Sequence, residues 1–188
     1  MRYTEYHAGK AVIKHKALLP GAMEKLARLE DLNKNQKHCN LILSDRLLHL
    51  QRIMADMPAE IRKYAVMIDG KMTSKKARAE RVQAIEDMKT GKKRYLFASF
   101  NLAKEGLDIP CLDRLYLTTP KKDYAVVTQS IGRIARVAEG KQDAVCYDYV
   151  DDIQFCENQW KKRKTSYRKA GCRIIEWERN RSTGDSDL

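Results

Sequence analysis

Short apolar runs alternate with longer amphipathic ones along most of the chain. Residues 22–36 (AMEKLARLEDLNKNQ) set Met23, Leu26, Ala27, Leu29 and Leu32 at helical spacing. CNLILS (39–44) is a β-prone run, and DRLLHLQRIMADM (45–57) returns to the helical period, with Pro58 marking its end. KYAVMI (63–68) predicts a strand broken by Asp69-Gly70, and a polar helix follows over about 75–89, with Gly91 as its stop. RYLFAS (94–99) predicts a buried strand, Asn101–Glu105 a helical turn, and LDRLYLT (112–118) another strand. YAVVTQSIGRIARV (124–137) reads as a helix interrupted at Gly132, DAVCYDYV (143–150) as a strand, 153–169 as a basic helix and CRIIEWE (172–178) as a last strand.

Strands alternating with helices across short connectors predict an α/β fold with a mainly parallel sheet flanked by helices on both faces. The strands are apolar throughout, as two covered faces require. One domain is expected, divided as a helical lead-in (1–38), the α/β body (39–151), a C-terminal helix with a possible last strand (152–178) and a disordered polar tail (179–188). Ligands of such sheets lie beyond the carboxyl ends of the strands. Four stretches are expected there: Ser44-Asp45-Arg46, Asp69-Gly70-Lys71, Ser99-Phe100-Asn101 and Thr118-Thr119.

Composition adds a class of partner. The 188 residues carry 37 Lys and Arg against 25 Asp and Glu, a net charge of +12. That balance favours a polyanion such as nucleic acid. KKRKTSYRK (161–169), with Tyr167 interleaved, is the densest basic cluster and a candidate contact. No run approaches the roughly 18 apolar residues of a membrane span, so a soluble, cytoplasmic protein is expected. Five cysteines occur singly, without a C-x-x-C pair, which argues for reduced thiols and against a metal site. His38 beside Cys39 reads as a pair of strand-edge neighbours.

A nucleotide-hydrolysing domain needs G-x-x-x-x-G-K-[ST], whose amides wrap phosphates while the hydroxyl meets magnesium. Gly-Lys occurs at 9–10, 70–71, 91–92 and 140–141, never followed by Ser or Thr. An Asp-Glu pair ending a strand is also missing. The chain is therefore not expected to be an ATPase by itself. TQSIGRIARVAEGK (128–141) nevertheless sets Arg133 and Arg136 three residues apart on one helix face. Two guanidiniums so placed can clamp phosphoryl oxygens. The plainer reading is a pair of surface arginines on a basic helix.

Four segments together resemble the second RecA-like domain of superfamily 2 helicases. SFNLAKEGLDIP (99–110) is similar to that family's motif five, QSIGRIAR (129–136) to motif six and NLILSDRLLHL (40–50) to motif four. MIDGKMTSKKARAERVQAIEDMKTGK (67–92) resembles the segment between them. The flavour is that of phage and bacterial DNA helicases related to restriction-enzyme and excision-repair translocases, with Gln129 where DEAD-box RNA helicases usually carry His.

The resemblance implies a role for each matching residue. Arg136 would be the arginine finger, Arg133 its companion on the phosphates, and Gln129 the coupler of nucleotide site and cleft. Gly106 and Asp108 would sit at ATP, while Ser44, Arg46, Gly70 and Ser99 would meet the nucleic-acid backbone. ATP and Mg2+ would be bound in the complete two-domain enzyme, and not tightly by this chain alone. The partners would be DNA in preference to RNA and an N-terminal RecA-like domain, in cis or in trans, with no membrane. The implied function is the C-terminal half of an ATP-dependent DNA helicase or translocase, inactive in isolation. A stand-alone nucleic-acid-binding module on the same scaffold is the alternative. A Rossmann or flavodoxin-like enzyme would need a glycine-rich dinucleotide loop that this chain lacks.

Overall fold

A computed structural model describes residues 10–17, 29–68, 74–104, 107–119, 124–151 and 154–178. In chain order these form β1 (Lys10–Ala17), α1 (29–34), β2 (Cys39–Ser44), α2 (Leu47–Asp56), α3 (Ala59–Arg62), β3 (Ala65–Ile68) and α4 (Lys75–Lys89). Then follow β4 (Tyr95–Ser99), α5 (Phe100–Lys104), β5 (Leu112–Leu117), α6 (Tyr124–Ile134), β6 (Ala144–Asp151), α7 (Gln154–Lys169) and β7 (Arg173–Glu178). The strands build a seven-stranded sheet in the order β3-β4-β2-β5-β6-β1-β7. Every pairing is parallel.

Side-chain alternation sorts each central strand onto two apolar faces. Leu41, Leu43, Leu96, Ala98, Leu115, Leu117 and Cys146 join one core with Ala84, Met88, Phe100, Val127, Ile131 and Trp160, under α4, α5, α6 and α7. Ile42, Tyr95, Phe97, Tyr116, Val145, Tyr147 and Tyr149 face the other way, against Leu32, Leu50, Ile53 and Ile61 of α1, α2 and α3. The second face is tyrosine-rich, and each hydroxyl needs a partner once buried. Tyr95 donates to the Leu32 carbonyl and Tyr149 to the Asp31 carboxylate, both at 2.8 Å. The Tyr116 and Tyr147 rings stack at 4.8 Å, and both hydroxyls accept from the Asn35 amide.

Helix ends follow local chemistry. α4 buries little beyond Ala84 and Met88, and its caps define it. Ser74 Oγ accepts from the Ala77 amide at 3.1 Å, and Gly91 takes φ 74° just past the end.

Three expectations need correction. The lead-in expected to be helical contributes a strand, β1, between β6 and β7. KAVIKHKA has too few apolar positions to announce a strand, and the pairing edges of β6 and β7 define one here. Gly132 does not interrupt α6, and the helix closes at Ile134 instead of 137. The short α3 after Pro58 was not visible as a helical period, which four residues cannot show. The tail 179–188 lies outside the described residues.

Candidate nucleotide and nucleic-acid site

All strands run the same way, so their carboxyl ends share one edge. Ser44 and Ser99 are register partners on β2 and β4, and Thr118 follows β5 beside them. The loops of this edge are tied together. The Thr118 amide and hydroxyl both donate to the Leu43 carbonyl, at 3.0 and 2.8 Å, and the Asp45 amide donates to Thr119 Oγ1 at 3.1 Å. Asp69-Gly70-Lys71, expected on the same edge, lies outside the described residues.

Ser44 is buried at 0% exposure, and its hydroxyl serves the chain itself. Its Oγ accepts from the Arg46 amide at 3.1 Å and sits 3.2 Å from His49 Nδ1, which shapes the turn into α2. Arg46, two residues on, is exposed. Ser99 is half-buried, and its Oγ accepts from the Leu102 amide at 3.3 Å at the start of α5. Both serines thus hold loops in shape, and Arg46 is the group of this set turned to solvent.

The second cluster joins α6 to the segment after α5. Val126, Val127, Ser130, Ile131 and Ile134 are buried, while Gln129, Gly132 and Arg136 form an exposed stripe at helical spacing. Arg133 Nη1 donates to the Leu107 carbonyl at 2.7 Å, and Arg136 Nη1 to Asp108 Oδ1 at 3.1 Å. Arg136 stands just past the helix end, yet it still reaches the same segment as Arg133. Arg133 Nε is buried and has no hydrogen-bond partner among the described residues. Burial first, and then the neighbouring Arg136 charge, lower the Arg133 pKa, against the pull of Asp108. A Cβ at Gly132 would meet nothing within 4 Å, so the space beside the pair is open. Two crowded guanidiniums with an unmet N–H suit an anion with several oxygens. Gly106, expected beside them, lies outside the described residues.

Two other expectations look different in three dimensions. Within KKRKTSYRK, Arg163 and Tyr167 point inward, so the interleaved tyrosine is core and offers no base-stacking face. Lys161, Lys162, Arg168 and Lys169 remain exposed. Cys39 and Cys111, far apart in sequence, bring their Sγ atoms to 2.6 Å at the amino edge of the sheet. His38 is engaged there too, with Nδ1 2.7 Å from Asp113 Oδ2 and Nε2 3.1 Å from Arg114 Nη2. Sequence reasoning also missed a cleft of about 600 Å³ at the carboxyl edge, between α2 and α7, lined in part by Arg46, Leu48, Arg52, Phe155 and Gln159. Its walls come from helices about a hundred residues apart, so no local pattern could show it.

The parallel sheet and its arginine-bearing helix define a RecA-like domain of the superfamily 2 helicase kind. The chain belongs to the helicase conserved C-terminal domain family, whose match spans residues 22–138. It is 35% identical over 105 residues to "Putative helicase 22" of the Sulfolobus islandicus filamentous virus (isolate Iceland/Hveragerdi). That match covers 55% of this chain and 19% of the viral protein, so the chain spans a minor part of that relative's length. Among solved structures, the C-terminal domain of the DEAD-box protein Dbp5 superposes with a TM-score of 0.68 at 17% identity, covering 92% of this chain and 91% of that one. S. cerevisiae Dbp5 bound to RNA and ADP BeF3 gives 0.66 at 18% identity, over 92% of this chain and 42% of that one. E. coli SrmB, a DEAD-box protein solved with the regulator of ribonuclease activity A, gives 0.67 at 16% identity, over 94% and 98%. At these identities the structures speak for the fold.

Proposed function

We propose that this chain supplies the arginine half of an ATP-driven DNA helicase or translocase, completed by an N-terminal RecA-like domain in cis or in trans. The observation that carries the reading is the Arg133–Arg136 pair. It is held at the open surface of α6 by one carbonyl and one exposed carboxylate, with Arg133 Nε unmet among the described residues. An exposed ion pair such as Arg136–Asp108 contributes only about 0–1 kcal/mol, so Arg136 can exchange it for a phosphate at small cost. Asp108, once released, is free to accept from a ribose hydroxyl, and Gln129 lies one turn before Arg133 on the same stripe.

ATP fits this donor set through its phosphates alone. Bound between the two domains, it would supply the phosphoryl group whose transfer lets a cleft closed on ATP reopen. Arg136 would face the terminal phosphate and Arg133 would hold its neighbour, with the Arg133 Nε shielded from water. Magnesium would be held by the N-terminal domain, beside its phosphate loop. Arg46, on the edge shaped by Ser44 and Ser99, would meet the nucleic-acid backbone. Binding through phosphates makes affinity fall steeply with salt. DNA is favoured over RNA by the Gln129 resemblance.

The test joins this chain to an N-terminal RecA-like domain that carries a phosphate loop, and measures ATP hydrolysis with and without DNA. Nucleic-acid-stimulated hydrolysis is expected, lost on the order of 10³-fold or more in Arg136→Ala, as for other arginine fingers. An unchanged rate in that variant overturns the finger assignment, whereas tight salt-dependent DNA binding by this chain alone, with no stimulated hydrolysis in the joined protein, would support the stand-alone binder. Equal stimulation by matched RNA overturns the preference for DNA.

A further inference from the structure

We propose that the cleft between α2 and α7 is a base-stacking subsite for an unpaired nucleic-acid strand, with Phe155 as the stacking platform. The inference rests on the reading above that the carboxyl edge carries nucleic acid, and it adds a place where the bases go.

Four large hydrophobic side chains are exposed among the described residues, and two of them, Leu48 at 58% and Phe155 at 65%, line this one cleft. Helical geometry fixes both directions. Leu50 and Ile53 of α2 are in the core, which turns Leu48 outward, and buried Cys156 and Trp160 do the same for Phe155 on α7. An apolar ring held outward on a rigid helix, at the rim of a cleft, is a contact surface more than a packing remnant.

The polar lining names the partner. Arg46 and Arg52 bring two cations to the α2 side, against one carboxylate, Asp45, among the described residues. Gln159, one turn after Phe155 on α7, also lines the cleft. Its Oε1 is buried without a hydrogen-bond partner among the described residues, an unmet acceptor suited to a base N–H. Cations for phosphates, an aromatic face and an amide form the set that holds a single strand, because every base offers a π-face. Paired bases hide those faces, so the occupant is an unpaired strand. Tyr149, also in the lining, is unavailable as a platform, because it is buried and its hydroxyl donates to Asp31.

The experiment uses the whole chain and fluorescence anisotropy with labelled oligothymidine and oligouridine, each beside an abasic strand of equal length, over a salt series. Phe155→Ala is expected to weaken binding of the base-bearing strands about tenfold, change abasic binding less than about twofold and leave the salt slope unaltered. Phe155→Trp should keep the affinity. Arg46→Ala with Arg52→Ala should weaken both kinds of strand and flatten the slope. Intact salt-dependent binding with a silent Phe155→Ala, or equal losses on base-bearing and abasic strands, overturns the subsite alone. No binding to any strand at low salt overturns the nucleic-acid edge itself, and the subsite with it.

Discussion

Two arginine sites on neighbouring helices show what burial with a complete partner does. On α7, Arg163 is 3% exposed and forms a two-point pair with Asp148, Nε to Oδ2 at 2.7 Å and Nη2 to Oδ1 at 2.9 Å. The Tyr167 hydroxyl donates to the same carboxylate at 2.6 Å. Burial lowers the Arg163 pKa, but Asp148 more than offsets it, and the net direction is upward. At the end of α6, Arg133 and Arg136 have one carbonyl, one exposed carboxylate and each other's charge, and the Arg133 pKa goes down. The first site is closed by its own chain. The second stays open to solvent, with one exposed carboxylate between two guanidiniums.

The contrast predicts opposite phenotypes. In the joined two-domain protein, Arg133→Ala with Arg136→Ala should abolish stimulated ATP hydrolysis, by on the order of 10³–10⁵, while the melting temperature of this chain hardly moves. A large stability loss in that variant would erase the distinction. Arg163→Ala should do the reverse, since stranding the buried Asp148 carboxylate costs about 3–5 kcal/mol, read as a lower urea midpoint. Any loss of hydrolysis should then follow the unfolded fraction.

The cysteine pair at the amino edge repeats the contrast on a smaller scale. The hydrogen bond from Cys39 lowers the Cys111 pKa, while the same contact, with burial, raises Cys39 well above an ordinary thiol. Cys111 should therefore be alkylated first, from a lower pH than a free thiol. Cys39→Ala should move that pH profile upward, because the donor that favours the Cys111 thiolate is gone. Peptide mass spectrometry over a pH series reads both, and earlier labelling of Cys39 reverses the assignment. The smallest effect is expected for Asp108→Ala. Its exposed pair with Arg136 contributes less than about 1 kcal/mol, so thermal stability should stay nearly constant and the small difference should fade with salt.

Much of the fold was legible because its signals are local. CNLILS, RYLFAS and LDRLYLT are apolar on both faces, and each became a central strand within a residue of its expected bounds. Ser74 and Gly91 bracket α4 as their types demand. β1 was hidden because its strand character comes from β6 and β7. The arginine spacing was readable as chemistry. The busy hydroxyls of Ser44 and Ser99 were not, because a serine at a strand end reads the same whether it faces solvent or its own chain.

By itself the sequence determined the alternating architecture, the family motifs and the two guanidiniums three residues apart. Those depend on spacing along the chain, and helix and strand periods convert spacing directly into direction. The tertiary structure alone decided which arginines are satisfied, which cysteines meet and that Leu48 and Phe155 share a cleft. Each of those depends on distances between segments many residues apart, set by strand order and packing, which no local period encodes.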